Sequence, residues 1–156
     1  MKNIFLILFL SIIFHFVHAQ DEKNQQKVEV FADWVLACAT ENSCIGNQTI
    51  KTDKGAIVSA VNVTKISNNT LVEFALPLMM NLRKKVVIEI DDSFASSFLF
   101  DTCTLNGCIA IIYNNEEILE AFKKGISMKV TAETIDRRKL ELTFSLKGFS
   151  KVFSRL

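Results

Sequence analysis

Four cysteines form the only constellation in this chain whose spacing invites a chemical reading. They stand as Cys38-x5-Cys44 and Cys103-x4-Cys108, the second pair inside "FDTCTLNGCIAIIY" (residues 100–113). Three chemistries compete for them. A zinc site of four thiolates is one, but structural zinc uses tighter knuckles than the first pair offers. A thiol–disulfide catalyst is another; it wants C-x-x-C at a helix N-terminus, where the thiolate is stabilised, and these cysteines border strand-like segments. The third is a pair of structural disulfides, which an even cysteine count favours in an exported chain. Of the three connectivities open to four cysteines, the local one, Cys38–Cys44 and Cys103–Cys108, is simplest. A four-residue loop over 104–107 sets Cys103 opposite Cys108, within disulfide reach. A two-residue turn on Asn106-Gly107, which Asn-Gly favours, instead opposes Cys103 to Ala110.

The remaining candidates read more plainly as architecture. Asp91-Asp92 follows "VVIEI" and reads as a turn, since neighbouring strand residues point to opposite faces and Asp bonds locally in turns. Arg83-Lys84-Lys85 and Arg137-Arg138-Lys139 are short basic clusters beside strands, of the kind that form hairpin tips. Trp34, the single tryptophan, reads as a core anchor. Sequons at Asn47, Asn62 and Asn68 matter only in a host that glycosylates exported proteins. The expected binding loops are residues 81–85, 91–93 and 104–107, with Arg83, Lys84, Lys85 and Asn106 as the side chains to test. No catalytic residue, metal ligand or cofactor is expected.

The N-terminus places these residues in a compartment. "MKNIFLILFLSIIFHFVHA" has a lysine, an apolar core and small residues up to Ala19, the pattern of a secretory signal peptide cleaved before Gln20. The apolar run is short for a bilayer span, so no transmembrane segment is expected after cleavage. Residues 20–27 read as a flexible leader and 28–156 as one domain. Both histidines, His15 and His18, fall in the signal segment. Without a mature histidine, Ser-His and Cys-His mechanisms have no base. Setting Lys2 aside, 17 basic face 17 acidic side chains. There is no long basic run, which argues against nucleic acid and anionic membrane surfaces as partners.

The elements that must position these residues are mostly strands. Leu140, Leu142, Phe144 and Leu146 alternate with polar residues; so do Met128, Val130 and Ala132, and Val72, Phe74 and Leu76 before Pro77. "KKVVIEID", "AIVSAVNVTKI", "VFADWVLAC", "CIGNQTIK", "SSFLFDTC" and "CIAIIY" are further strand candidates. "NNEEILEAFKKG" (114–125) breaks the period. Asn115 as N-cap, two glutamates in the first turn, two lysines in the last and Gly125 beyond predict a short helix. A second helical turn is expected in "SKVFSRL". The class is mainly all-β, an antiparallel sandwich with one short inserted helix.

Five segments in order resemble the invasion-associated locus B family of Gram-negative bacteria. They are "FADWVLAC" with a second cysteine soon after, "VEFALPL" then "VVIEIDD", "FDTCTLNGCIAIIY", "ILEAFKKG" and "LELTFSLKGFSKVFSRL". The resemblance spans nearly all of 28–156. It implies an immunoglobulin-like sandwich, export to the periplasm or cell surface, and no known catalytic activity. Family members often carry glycines after the Leu-Pro and before the Ile-Asp strand; Met79 and Lys85 stand roughly there. The expected function is that of a non-enzymatic binding protein of the bacterial envelope, associated with host-cell invasion, acting on an unidentified protein or cell-surface partner. The alternatives are an envelope thiol–disulfide enzyme, and a periplasmic chaperone or inhibitor that adds a partner's strand to a sheet edge.

Overall fold

The computed structural model describes residues 27–156. The signal segment, its cleavage after Ala19 and almost all of the leader lie outside the described residues. Lys27, the last leader residue by sequence, is already the first residue of a strand.

Among the described residues, eleven strands and two helices build two antiparallel sheets. In the larger sheet β1 (Lys27–Phe31), β2 (Trp34–Thr40), β3 (Ser43–Lys51), β4 (Ile57–Ile66) and β5 (Asn69–Leu76) run as a meander. β9 (Gly107–Tyr113) and β8 (Thr102–Thr104) then extend it beyond β5. The smaller sheet has the order β11 (Lys139–Ser145), β10 (Ser127–Glu133), β6 (Val86–Ile90), β7 (Phe94–Phe98).

The alternating residues face inward as their period requires: Val72, Phe74 and Leu76, Met128 and Val130, and Leu142 and Phe144 are all buried in one core. Phe74 of the large sheet meets Phe98 of the small one with ring centroids 5.2 Å apart. The helices close the core where the small sheet stops. α1 (Glu116–Lys124) packs on α2 (Phe149–Phe153), and α2 lies on β1, β2 and β3. Phe149 is the hub, edge-on to Trp34 at 5.1 Å and to Phe122 at 5.3 Å. Such pairs add directional packing to the area they bury.

Three local expectations are corrected. "VFADWVLAC" is two strands, broken at Ala32-Asp33, where Ala32 takes φ 51. "SSFLFDTC" is also divided: β7 ends at Phe98 in the small sheet, and the chain crosses over 99–101 to begin β8 in the large one. Both were hidden by continuous apolar content, which does not mark where a strand changes partner. Gly125 caps α1 in an extended conformation (φ −75), donating to Ala121 O at 2.8 Å. Glycine suits the site for room instead: a Cβ there would lie 2.5 Å from Ile90 Cγ2 and 2.8 Å from Leu146 Cδ1. The rest of α1 follows its sequence cues, with Asn115 Oδ1 accepting from the Ile118 N–H at 3.0 Å.

Candidate interaction surface

The cysteines are paired locally. Cys38 and Cys44 are register partners on β2 and β3 with sulfurs 2.02 Å apart; Cys103 and Cys108 are partners on β8 and β9 at 2.03 Å. The second hairpin combines parts of the two geometries expected from sequence. Cys103 does oppose Cys108, but the turn is a two-residue one on Leu105-Asn106, because Thr104 pairs with Gly107. Gly107 therefore follows the turn. It has φ 147, and a Cβ there would come within 2.5 Å of Leu76 O on the neighbouring strand. Thr104 Oγ1 tightens the turn by accepting from the Asn106 N–H at 3.2 Å.

The three expected loops do not form one surface. Residues 91–93 join β6 to β7 at one end of the small sheet. Asp91 and Asp92 both have positive φ, 47 and 55, and Asp91 accepts from the backbone N–H groups of Ile126 and Ser127 at 2.8 and 2.9 Å. That carboxylate is spent on fastening the start of β10, in keeping with the turn reading. Residues 104–107 and 81–85 lie at the other end, where β5 finishes and β6 and β9 begin. Segment 81–85 is not a hairpin tip, as its basic cluster suggested. It lies on the crossover that carries the chain from the large sheet to the small one.

The fold joins two basic clusters that are far apart in sequence. The crossover runs beside the β10–β11 hairpin turn. Met80 bridges to Thr134, Ile135 N–H donates to Met79 O at 2.9 Å, and Asn81 N–H donates to Glu133 O at 2.7 Å. Asn81 Nδ2 also donates to Glu133 Oε1 at 2.8 Å. As a result Lys84 and Lys85 line one cavity of about 430 Å³ with Arg137, Lys139 and Glu133. An adjoining apolar groove of about 490 Å³ runs between Pro77, Leu78, Met79 and Met80 on one side and Ile135 and Leu140 on the other; Lys139 lines both.

Charge compensation within this patch is uneven. Asp136 holds Arg138 at 2.6 Å, and Glu141 holds Lys139 at 2.6 Å. The Thr134 hydroxyl, then the Arg138 guanidinium, hold the Asp136 carboxyl below its ordinary range; Lys139 does the same for Glu141. Arg83, Lys84, Lys85 and Arg137 make no ion pair among the described residues. This end of the sandwich therefore sets cations that make no ion pair among the described residues beside exposed aliphatic side chains.

The family model for invasion associated locus B (IalB) protein matches residues 34–156. The chain belongs to the IalB family. Two invasion protein B homologs of Brucella abortus, from strain 2308 and from biovar 1 strain 9-941, are each 24% identical over 134 residues, covering 82% of this chain and 78% of theirs. The crystal structure of invasion associated protein B from Bartonella henselae superposes with a TM-score of 0.74 at 21% identity, covering 83% of this chain and 94% of that one. The match supports the fold: a mostly-β sandwich of two antiparallel sheets, here with a meandering larger sheet.

One residue of this IalB-family chain escaped the sequence reading. Gln48 is buried, only 9% exposed, and joins the sheets: Nε2 donates to Asp33 O and Ser145 O at 2.9 and 3.0 Å, and Oε1 accepts from the Ser145 N–H at 2.8 Å. Trp34 Nε1 donates to the same Ser145 carbonyl at 2.8 Å, so the expected core anchor is also a tie between layers. The available signal was position: Gln48 is a polar side chain at an inward site between Gly46 and Ile50. Met79 has φ 69, a left-handed conformation that favours glycine, at about the place where family members often carry one. Its side chain is 63% exposed in the patch.

Proposed function

We propose that this chain is an exported, non-enzymatic binding protein of the bacterial envelope, and that the basic end of the sandwich is its contact surface. One observation carries the reading: Lys84 and Lys85 from one segment and Arg137 and Lys139 from another, separate in sequence, line one cavity beside exposed aliphatic residues. Export is supported by the signal-like N-terminus and by two cysteine pairs at bonding distance. An association with invasion is suggested by its relatives, invasion protein B homologs of Brucella abortus and the invasion associated protein B of Bartonella henselae.

Binding is favoured over catalysis by what the surface offers. It presents cations and aliphatic area. Its one hydroxyl–carboxylate pair, Thr134 with Asp136, closes a turn, since the same hydroxyl accepts from the Arg138 N–H at 3.1 Å. The thiol–disulfide alternative loses support because all four cysteines are paired. Strand addition has weak support as well. Two outer strands among the described residues carry edge charges: Glu29 on β1 is tied to Lys27 and Arg155 at 3.1 and 3.2 Å, and Lys139 to Glu141 on the seven-residue β11 at 2.6 Å.

The test is charge reversal at Arg83, Lys84 and Lys85, all exposed. The melting temperature should stay within about 2 °C of wild type, since exposed substitutions rarely change stability by more than ~0.5 kcal/mol. Association with envelope fractions or host cells should fall. Unchanged association would remove this loop from the contact surface.

A further inference from the structure

We infer that the basic end of the sandwich docks on an anionic phospholipid surface, with aliphatic loop tips entering the interface and lysine and arginine side chains meeting phosphates. The inference rests on the binding reading above and names the partner of that surface. The lack of a long basic run in the sequence argued against such a partner, but the fold assembles the charge from two segments.

Three observations favour a lipid surface. The first is charge: Lys84, Lys85, Arg137 and Lys139 line one cavity with a single carboxylate, Glu133, and the first three make no ion pair among the described residues, so the excess of positive charge suits an anionic surface. The second is the apolar component. Leu78 (48% exposed), Met79 and Ile135 (57%) stand open beside those cations. Leu105, at the same end, is 94% exposed on a two-residue turn closed by the Cys103–Cys108 bridge. The third is shape. The apolar side chains come from three separate loops, and a side chain as exposed as Leu105 lines no groove. A peptide lying in one groove would miss it, whereas a broad lipid surface reaches several tips at once. Cations flanking apolar tips are the arrangement that holds proteins at anionic interfaces. Met79 fits the same picture, because a strained backbone there presents an apolar side chain where glycine would present none.

The experiment uses oxidised protein recovered after export and co-sedimentation with two vesicle types. One is equal parts phosphatidylglycerol and phosphatidylcholine; the other is phosphatidylcholine alone. Binding should require phosphatidylglycerol and fall steeply as salt screens the surface. Lys84→Gln, Lys85→Gln and Arg137→Asn together should lower partitioning about a hundredfold, taking roughly fivefold for each cation near the surface. Asn is chosen because it tolerates the φ of 62 at Arg137. Met79→Gly, Leu105→Ser and Ile135→Ser together should weaken binding at least tenfold, and Met79→Gly suits the local backbone. Thermal melting of each variant checks that the fold persists. Equal binding to both vesicle types overturns the inference, as does binding indifferent to either set of substitutions. No vesicle binding, together with charge-dependent association to envelope or host-cell protein, overturns the lipid assignment while the binding reading stands. Charge-independent association in every assay overturns both.

Discussion

Replacing Gln48 with leucine should loosen the join between the two sheets. Leucine fills a similar volume, so packing changes little; what disappears is the amide. Three hydrogen bonds go with it, two donated by Nε2 to Asp33 O and Ser145 O and one accepted by Oε1 from the Ser145 N–H. The Ser145 carbonyl keeps Trp34 Nε1, but the Ser145 N–H loses its side-chain acceptor. A buried donor left without a partner costs about 1–3 kcal/mol, and each net hydrogen bond contributes about 1 kcal/mol. Burying leucine in place of an amide offsets part of this, leaving a loss of about 2–3 kcal/mol. For a domain of this size that lowers the melting temperature by about 10 °C. Trp34→Phe removes one donor while the acceptor keeps Gln48, so its hydrogen-bond loss should be nearer 1 kcal/mol, with a further cost for lost ring volume. Because both side chains serve Ser145 O, the double variant should be less stable than the sum of the two singles. Thermal and urea unfolding measure the totals; hydrogen exchange at the Ser145 amide reports the site itself. A Gln48→Leu protein that melts within about 2 °C of wild type, with that amide still protected, would refute the reasoning.

Other outcomes follow from the same geometry. Cys103→Ser with Cys108→Ser should destabilise by about 2 kcal/mol or somewhat more, from loop entropy plus a hydroxyl placed at the buried Cys108 position; urea midpoints with unchanged slope measure it, and a loss near zero contradicts a pinned hairpin. Asp91→Ala should cost about 1–2 kcal/mol by freeing the Ile126 and Ser127 N–H groups, and Asp91→Asn should cost less because Asn accepts one bond and tolerates positive φ; equal losses would disprove the anchoring role. Asp136 has its folded pKa lowered from 3.8 by the Thr134 hydroxyl and Arg138. Its contribution to the β10–β11 turn is thus present above the unfolded value and disappears as pH falls through the lower folded one. Carbon-detected NMR should show Asp136 titrating below 3.8, and titration at or above that value contradicts the pairing.

Local patterns made much of the architecture legible. Period-two alternation placed Val72, Phe74, Leu76, Met128, Val130 and Phe144 in the core because a strand facing solvent on one side has few other ways to bury apolar area. Helix α1 was readable because its cap, charge order and apolar spacing all fall within twelve residues. The cysteine pairs were readable for the same reason of proximity. The breaks inside "VFADWVLAC" and "SSFLFDTC" were not, since an apolar run does not mark where a strand changes partner: Val30 just before the first break and Leu99 on the second crossing are both exposed. The ties made by Gln48 and Trp34 join β3 and β2 to β11, about a hundred residues away in each case, and no local pattern records which carbonyl a buried amide will meet.

The same reasoning explains why the basic clusters read as solvated tips in the sequence and as one surface in the fold. Each cluster is three residues long, too short to stand out as a charge run. Their meeting is decided by the crossover, which must return from β5 in one sheet to β6 in the other. Backbone groups fix that path: Met80 bridges Thr134, Ile135 donates to Met79 O and Asn81 donates to Glu133 O, with only the Asn81–Glu133 side-chain bond added. Position is therefore set mostly by main chain, and charge by side chains that no core contact requires. Lys84, Lys85 and Arg137 are exposed and make no ion pair among the described residues, although Glu133 lines their cavity. Across the same turn Asp136 and Glu141 compensate Arg138 and Lys139. Cations arranged only for solubility would need no such proximity to exposed Met79 and Ile135; cations that meet an anionic, partly apolar partner would.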